Sequence, residues 1–209
     1  MKTKNRNPAL LLQGKKVDPI IEFYFELNHL KQLFRQGWLQ RKIPEDKCES
    51  VADHLFGSAI LTLIIADSYY ESLDMCKLLK MVLVHELGEI YIGDATPRDF
   101  IHKKVKFEWE LKAIIELFSK IPNGKEYVNL WKEYEDGKSK EAQLIKQIDR
   151  LEAALQMIIY KLQYKDKNLE SSVPKNIHFI PWTEKRLQDK KLLQILREAK
   201  ELVLEINQK

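Results

Sequence analysis

Glycine and proline are scarce, with seven of each in 209 residues. So few helix breakers leave little material for the many tight turns of an all-β fold and favour long helices. Cysteine is scarcer still: Cys48 and Cys76 stand alone, without a Cys-x-x-Cys spacing. This excludes a zinc ribbon and a dithiol redox motif, and nothing supports a disulfide framework. Long hydrophobic runs are also missing. The longest, Ala59 to Ala66, is interrupted by Thr62 and falls far short of the roughly 20 residues that a bilayer span takes. The stretch MKTKNRNPALLLQGKK has basic flanks, but its apolar centre, Ala9 to Leu12, is only four residues long, unlike a signal peptide. The expectation is a cytoplasmic protein with no membrane partner.

Charge of one sign is not in strong excess either. The 35 basic and 31 acidic residues leave +4, and the lysines are spread along the chain rather than gathered in one arm. No nucleic-acid polymer is expected as a partner. What the sequence does have is 44% hydrophobic and 32% charged residues, the balance of a globular protein. Its length suits a single domain with a substantial core.

Apolar spacing predicts an all-α, compact single-domain helical bundle. In DPIIEFYFELNHLKQLFRQG, Ile20, Phe23, Tyr24, Leu27, Leu30 and Phe34 share one face of a helix that starts after Pro19 and stops at Gly37. A second helix opens at Ser50 with Asp53 three residues on, a capping box, and is apolar nearly all round from Ala59 to Ala66, which places it centrally. Further helices are predicted over 75–91, 103–119 and about 140–163, with a turn at Asp136-Gly137 before the last of these, and finally over 183–206. Residues 1–18 read as a flexible N-terminal segment, 19–165 as the main helical domain, and 166–209 as a C-terminal helical extension packed on it.

The chemistry-bearing residues concentrate in LLKMVLVHELGEIYIGDATP. His85, Glu86, Glu89 and Asp94 follow directly on an apolar helix, and a helical wheel puts His85 and Glu89 on the stripe of Leu78, Met81, Val82 and Ile92. Buried carboxylates beside a buried imidazole call for a compensating cation. A neutral, hydrogen-bonded His85 is the blander alternative. His54 lies in a first helical turn followed by the small Gly57 and Ser58, a position where a lone histidine is more often simply exposed. Asp149, off the centre of the stripe formed by Leu144, Ile148, Leu151, Leu155 and Ile158, reads equally as a solvated acid beside Arg150. Together, two imidazoles and two carboxylates form an N/O set suited to a divalent transition metal with open positions.

These segments, ESVADH, LVHELGEIYIGDATP and EAQLIKQIDRLE, resemble the H…HD…D pattern of the HD-domain metal-dependent phosphohydrolases. Within that family the chain is most similar to the 5′-deoxynucleotidases, over roughly Leu30 to Gln163. The resemblance implies one divalent metal ion (Mn²⁺, Co²⁺, Zn²⁺ or Fe²⁺) held by His54, His85, Glu86 and Asp149. It implies Glu89 as the acid that activates water and Asp94 as a further acid at the catalytic centre. Trp38 is implied beside the sugar and Arg41 at the phosphate. The implied reaction releases phosphate from deoxynucleoside 5′-monophosphates, and the implied assembly is a homodimer. One departure stands out: Glu86 occupies the place of the family's Asp. Hydrolysis of another nucleotide phosphoester and a non-catalytic nucleotide-binding role are the alternatives. His29, His102, His178 and Trp182 match no motif position, and His178 and Trp182 are read as anchors of the C-terminal segment.

Overall fold

A computed structural model of the chain describes residues 1–164 and 179–206. The described residues form α-helices and no strand, only two isolated bridges, Thr3 with Leu33 and Phe34 with Ser50. In chain order the helices are α1 (Pro19–Leu27), α2 (Gln36–Leu39), α3 (Val51–Tyr69), α4 (Met75–Val84), α5 (Glu89–Ile92), α6 (Lys103–Phe118), α7 (Gly124–Asp136), α8 (Lys140–Tyr164), α9 (Phe179–Glu184) and α10 (Lys190–Ile206). The all-α expectation holds.

Helix α3 lies at the centre, against α4 and α8. Its start is fixed as expected: Ser50 Oγ accepts from Asp53 N at 3.2 Å, and the Asp53 carboxylate accepts from Ser50 N at 2.7 Å. Among the described residues it alone is long and apolar enough to cross a bilayer. Its inner face, however, is packed: Val51, His54, Leu55, Ser58, Ala59, Thr62, Ile65 and Ala66 are buried. Burial is not all round, because Phe56, Ile60 and Ile64 line an outer stripe, 69%, 43% and 58% exposed. From α4, Leu78, Met81 and Val82 meet Ile145, Ile148 and Leu151 of α8 in a fully buried core. Truncating such side chains costs about 2–5 kcal/mol each, so these helices form a stiff frame.

The single helix expected over 19–37 is instead α1, a 3₁₀ turn (Asn28–Lys31) and α2. The apolar stripe is present, but the backbone of 32–35 pairs elsewhere. Lys4 N donates to Gln32 O at 2.6 Å, Val51 N to Leu33 O at 2.9 Å, and Arg35 N to Glu49 O at 3.1 Å. Groups committed to neighbouring segments cannot also serve a helix. Helix α7 is an addition to the expected elements, although its sequence supports it: Tyr127, Leu130, Trp131 and Tyr134 recur at helical spacing, and Trp131 and Tyr134 are buried. It ends at Gly137 (φ 65°), the expected turn. The last expected helix is split into α9 and α10. Gln147 Oε1 accepts from Gln188 N and Asp189 N at 2.7 and 2.8 Å, and Asp189 then caps α10 through Lys191 N and Leu192 N. Trp182 lies on α9, while His178 falls outside the described residues.

Candidate metal centre and the cavity around it

The first turn of α3 carries His54 into the core, where its ring is fully buried between two acids of α8. Glu152 Oε2 lies 2.5 Å from His54 Nδ1. Asp149 Oδ1 lies 3.1 Å from Nε2, yet Nε2 has no hydrogen-bond partner of acceptable geometry. Glu152 fits because α3 has a glycine opposite it: a Cβ on Gly57 would lie 2.7 Å from Glu152 Oε1.

Helix α4 supplies the other histidine just as its backbone tightens. After Val84 the bonds run from each N–H to the carbonyl three residues back: Leu87 to Val84, Glu89 to Glu86, Ile90 to Leu87 and Tyr91 to Gly88, at 3.1–3.4 Å. The uninterrupted helix expected over 75–91 therefore gives way to a 3₁₀-like turn before α5. On an α-helix Glu86 and Glu89 would point about 60° apart; with three residues per turn they share a face, and both line one cavity. The His85 ring is set by Nδ1, which donates to Val82 O at 2.6 Å.

One ligand atom each from His54, His85, Glu86 and Asp149 lies within 4.8 Å of the others. The extra methylene of Glu86 relative to an aspartate therefore does not take its carboxylate out of the group. The donor set fits a divalent ion. Both Nε2 atoms are buried without a hydrogen-bond partner, and each opposite Nδ1 is held by an acceptor, which orients the ring and fixes the tautomer as outer ligands of metal-bound histidines do. At ligand distances of about 2.0–2.2 Å two donors on one ion lie at most about 4.4 Å apart, so closure takes shifts of a few tenths of an ångström.

Electrostatics point the same way. Burial and Arg35 both pull the His54 pKa down, but Asp149 and Glu152 outweigh them and lift it to about 10. The cluster thus draws a positive charge to this point. Burial would raise Glu86, yet His85 and Arg35 hold it below the usual carboxylate range. Glu89 goes the opposite way, driven well up by burial and by the charges of Glu86 and Asp94. Two neighbouring carboxyls with separated affinities for protons are the pattern that divides ligand from base. Glu89 is 2% exposed, and its Oε2 has no hydrogen-bond partner.

The cavity beside the cluster measures about 490 Å³. Every candidate from the sequence except the two histidines, which sit behind the acids, lines it: Glu86, Glu89, Asp94, Asp149, Trp38 and Arg41. Asp94 accepts from Arg35 Nη1 at 2.8 Å and from Gln36 N at 2.5 Å. Trp38 is nearly buried, its indole N–H donating to Glu49 at 2.5 Å. Arg41 donates to Gly37 O and lies over the Trp38 and Phe179 rings at 5.6 and 5.1 Å; burial and Arg98 lower its pKa to about 10.

Pattern reading missed Arg35, Lys106 and Glu152. Burial would lower Arg35, but Asp94, Glu86, Glu89 and Asp149 raise it well above its ordinary value, and it lines the cavity with Lys106. Lys106 pairs with Glu110 at 2.7 Å. No local spacing marks Arg35 or Lys106, since each meets the cluster only across helices. Glu152 was within reach: it lies one turn beyond Asp149 on α8, on the same side.

Residues 27–179 match the HD domain family. Among curated proteins, the chain is similar to the 5′-deoxynucleotidase HDDC2 of Dictyostelium discoideum, 38% identical over 150 residues that cover 68% of this chain and 78% of that protein. It is also similar to the protein of the same name from Danio rerio, 33% identical over 88% of each chain. Among solved structures, the PH0347 protein of Pyrococcus horikoshii superposes with a TM-score of 0.68 at 34% identity, over 87% of this chain and 99% of that one.

Proposed function

This chain belongs to the HD-domain family, and from that premise we propose that it is a metal-dependent 5′-deoxynucleotidase, which hydrolyses deoxynucleoside 5′-monophosphates to the nucleoside and phosphate. The observation that carries the proposal is the convergence of His54, His85, Glu86 and Asp149 at the edge of a cavity that also holds the buried Glu89. Relatives named 5′-deoxynucleotidase support the choice of substrate.

His54, His85, Glu86 and Asp149 would hold a divalent ion, which when bound supplies Lewis acidity, acidifying water and drawing charge from the phosphoryl oxygens. Glu89, the most basic carboxylate of the site, accepts the proton of the attacking water. Arg35 and Lys106, cations whose charges act on Glu86 and Glu89, offset the phosphoryl charge; Asp94 positions Arg35 by its 2.8 Å bond. Arg41 contributes a further cation to the cavity wall. Trp38, pinned by Glu49 in the cavity wall, is assigned to the sugar, where its ring would disfavour a 2′-hydroxyl. The test is phosphate release from paired deoxy- and ribonucleoside 5′-monophosphates after chelation and re-addition of Mn²⁺, Co²⁺, Zn²⁺ or Mg²⁺. Metal-dependent release that favours deoxynucleotides and vanishes in His85→Ala is expected; no release with any metal from folded protein rejects the assignment.

A homodimer is part of the same proposal, its support being the stripe Phe56, Ile60 and Ile64, an apolar face that a second copy would cover. Light scattering should give twice the monomer mass, and Ile60→Asp should halve it.

A further inference from the structure

Part of the cavity wall is aromatic. Phe100, Phe179 and Trp182 all line it, and none belongs to the metal cluster or to the residues implied by the family motifs. Trp182 lies beyond the 27–179 match to the HD domain. We propose that these three side chains form a subsite for the planar base of a nucleotide, so that the wall which grips the base is supplied by the 94–100 loop and by the short helix α9. The proposal rests on the nucleotidase reading and extends it from sugar and phosphate to the base.

Phe100 is the sharpest observation. The residue is 93% exposed, and its backbone is left-handed (φ 53°, ψ 26°), a conformation unfavourable for a bulky side chain. Such outliers persist where the surroundings enforce them, and they gather at ligand sites. The surroundings here do enforce it. Thr96 and Asp99 form a capping box, Thr96 Oγ1 accepts from Gln40 Nε2 at 3.0 Å, and Arg98 Nη1 donates to Gln40 O at 3.4 Å. On the far side His102 caps α6 through Lys104 N. The turn is thus tied to the α2 side and to α6, and it presents an apolar ring to the cavity mouth with little of that ring packed on protein.

The other two aromatic residues are held by their neighbours. Phe179 and Trp182 stack at 6.1 Å and 16°, Phe179 meets Trp38 edge-on at 5.7 Å, and Arg186 lies 4.0 Å from the Trp182 ring centre. Trp38 thereby links the aromatic wall to the sugar position. At about 490 Å³ the cavity has the size of a site for a whole small ligand rather than for a bare phosphate ion. Flat π-faces accept any base, with stacking strength rather than hydrogen bonding setting preference.

The test compares two substrates that differ only in the base: dAMP and 2-deoxyribose 5-phosphate. Phe100→Ala removes an exposed ring and so spares folding; Trp182→Ala is paired with Trp182→Phe, which keeps an aromatic face. Each alanine variant should raise KM for dAMP roughly tenfold, within the range that alanine substitution gives for base–aromatic stacking, with kcat kept and deoxyribose 5-phosphate kinetics unchanged; Trp182→Phe should recover most of the loss. Unchanged dAMP kinetics, or equal losses on both substrates, would overturn the subsite while leaving the nucleotidase intact. If no phosphate is released by the parent protein, the nucleotidase reading fails separately. Calorimetric binding of dAMP then decides the subsite: weakened binding in Phe100→Ala sustains it, and unchanged or absent binding rejects it.

Discussion

The acidic and aromatic parts of one cavity wall are built by opposite means. In the acidic part, donors come from α3, α8 and the α4–α5 turn, and their neighbours brace them: Glu152 on His54, Val82 O on His85, Arg35 and Gln36 on Asp94. In the aromatic part, the side chains come from a strained turn held by hydrogen bonds and from a helix of six residues held by ring contacts. The difference follows from what each must bind. Converging charges tolerate errors of only a few tenths of an ångström, so they belong on stiff packed helices. A flat apolar ligand is satisfied by surfaces, which loops can supply.

The comparison is most easily broken at Glu89. Glu89→Gln keeps shape and removes the base, so kcat should fall by about 10²–10⁴ with metal content unchanged by elemental analysis. An unaltered kcat would move the chemistry to another residue.

Next in size is the brace on His54. Glu152→Gln should weaken metal affinity about 10–100-fold, read by titration with Co²⁺ and its visible absorption. Gly57→Ala, which crowds the same carboxylate, should act in the same direction by a smaller factor. Full metal affinity in both variants would reduce Glu152 to ordinary packing.

The smallest effect concerns the link between the two parts. Glu49 accepts from the Trp38 indole, and burial together with Glu152 raises its pKa to about 7. The folded state therefore keeps a proton that the unfolded chain has lost above the ordinary value of about 4.3. Stability should decline as pH rises from about 4.3 to about 7 and level off beyond it. Glu49→Gln keeps the acceptor for Trp38 and should flatten that part of the profile, measured as denaturation midpoints across the window. An identical profile in the variant would show that Glu49 ionises freely.

Much of the frame was legible before any coordinates. Ser50 and Asp53 marked the start of α3, Gly137 the turn before α8, and periodicity the existence of most helices. The ligand set was legible only through its resemblance to a family, because His54, His85 and Asp149 lie far apart in the chain and each alone has a bland reading. The break after Val84 was not legible: nothing in HELGEIY separates a 3₁₀ turn from a continuous helix, and the choice falls to packing around the turn.

Periodicity and capping thus determined which segments are helical and which faces are apolar, since these depend on neighbours within a few residues. Only the tertiary structure decided that Glu86 reaches the same point as two histidines, that Glu152 braces one of them from another helix, that residues 32–35 give up helical bonds to pair with 4, 49 and 51, and that Phe100 and α9 line the same cavity. Each of those outcomes balances burial against charge among residues distant in sequence, and that balance exists only once the helices have packed.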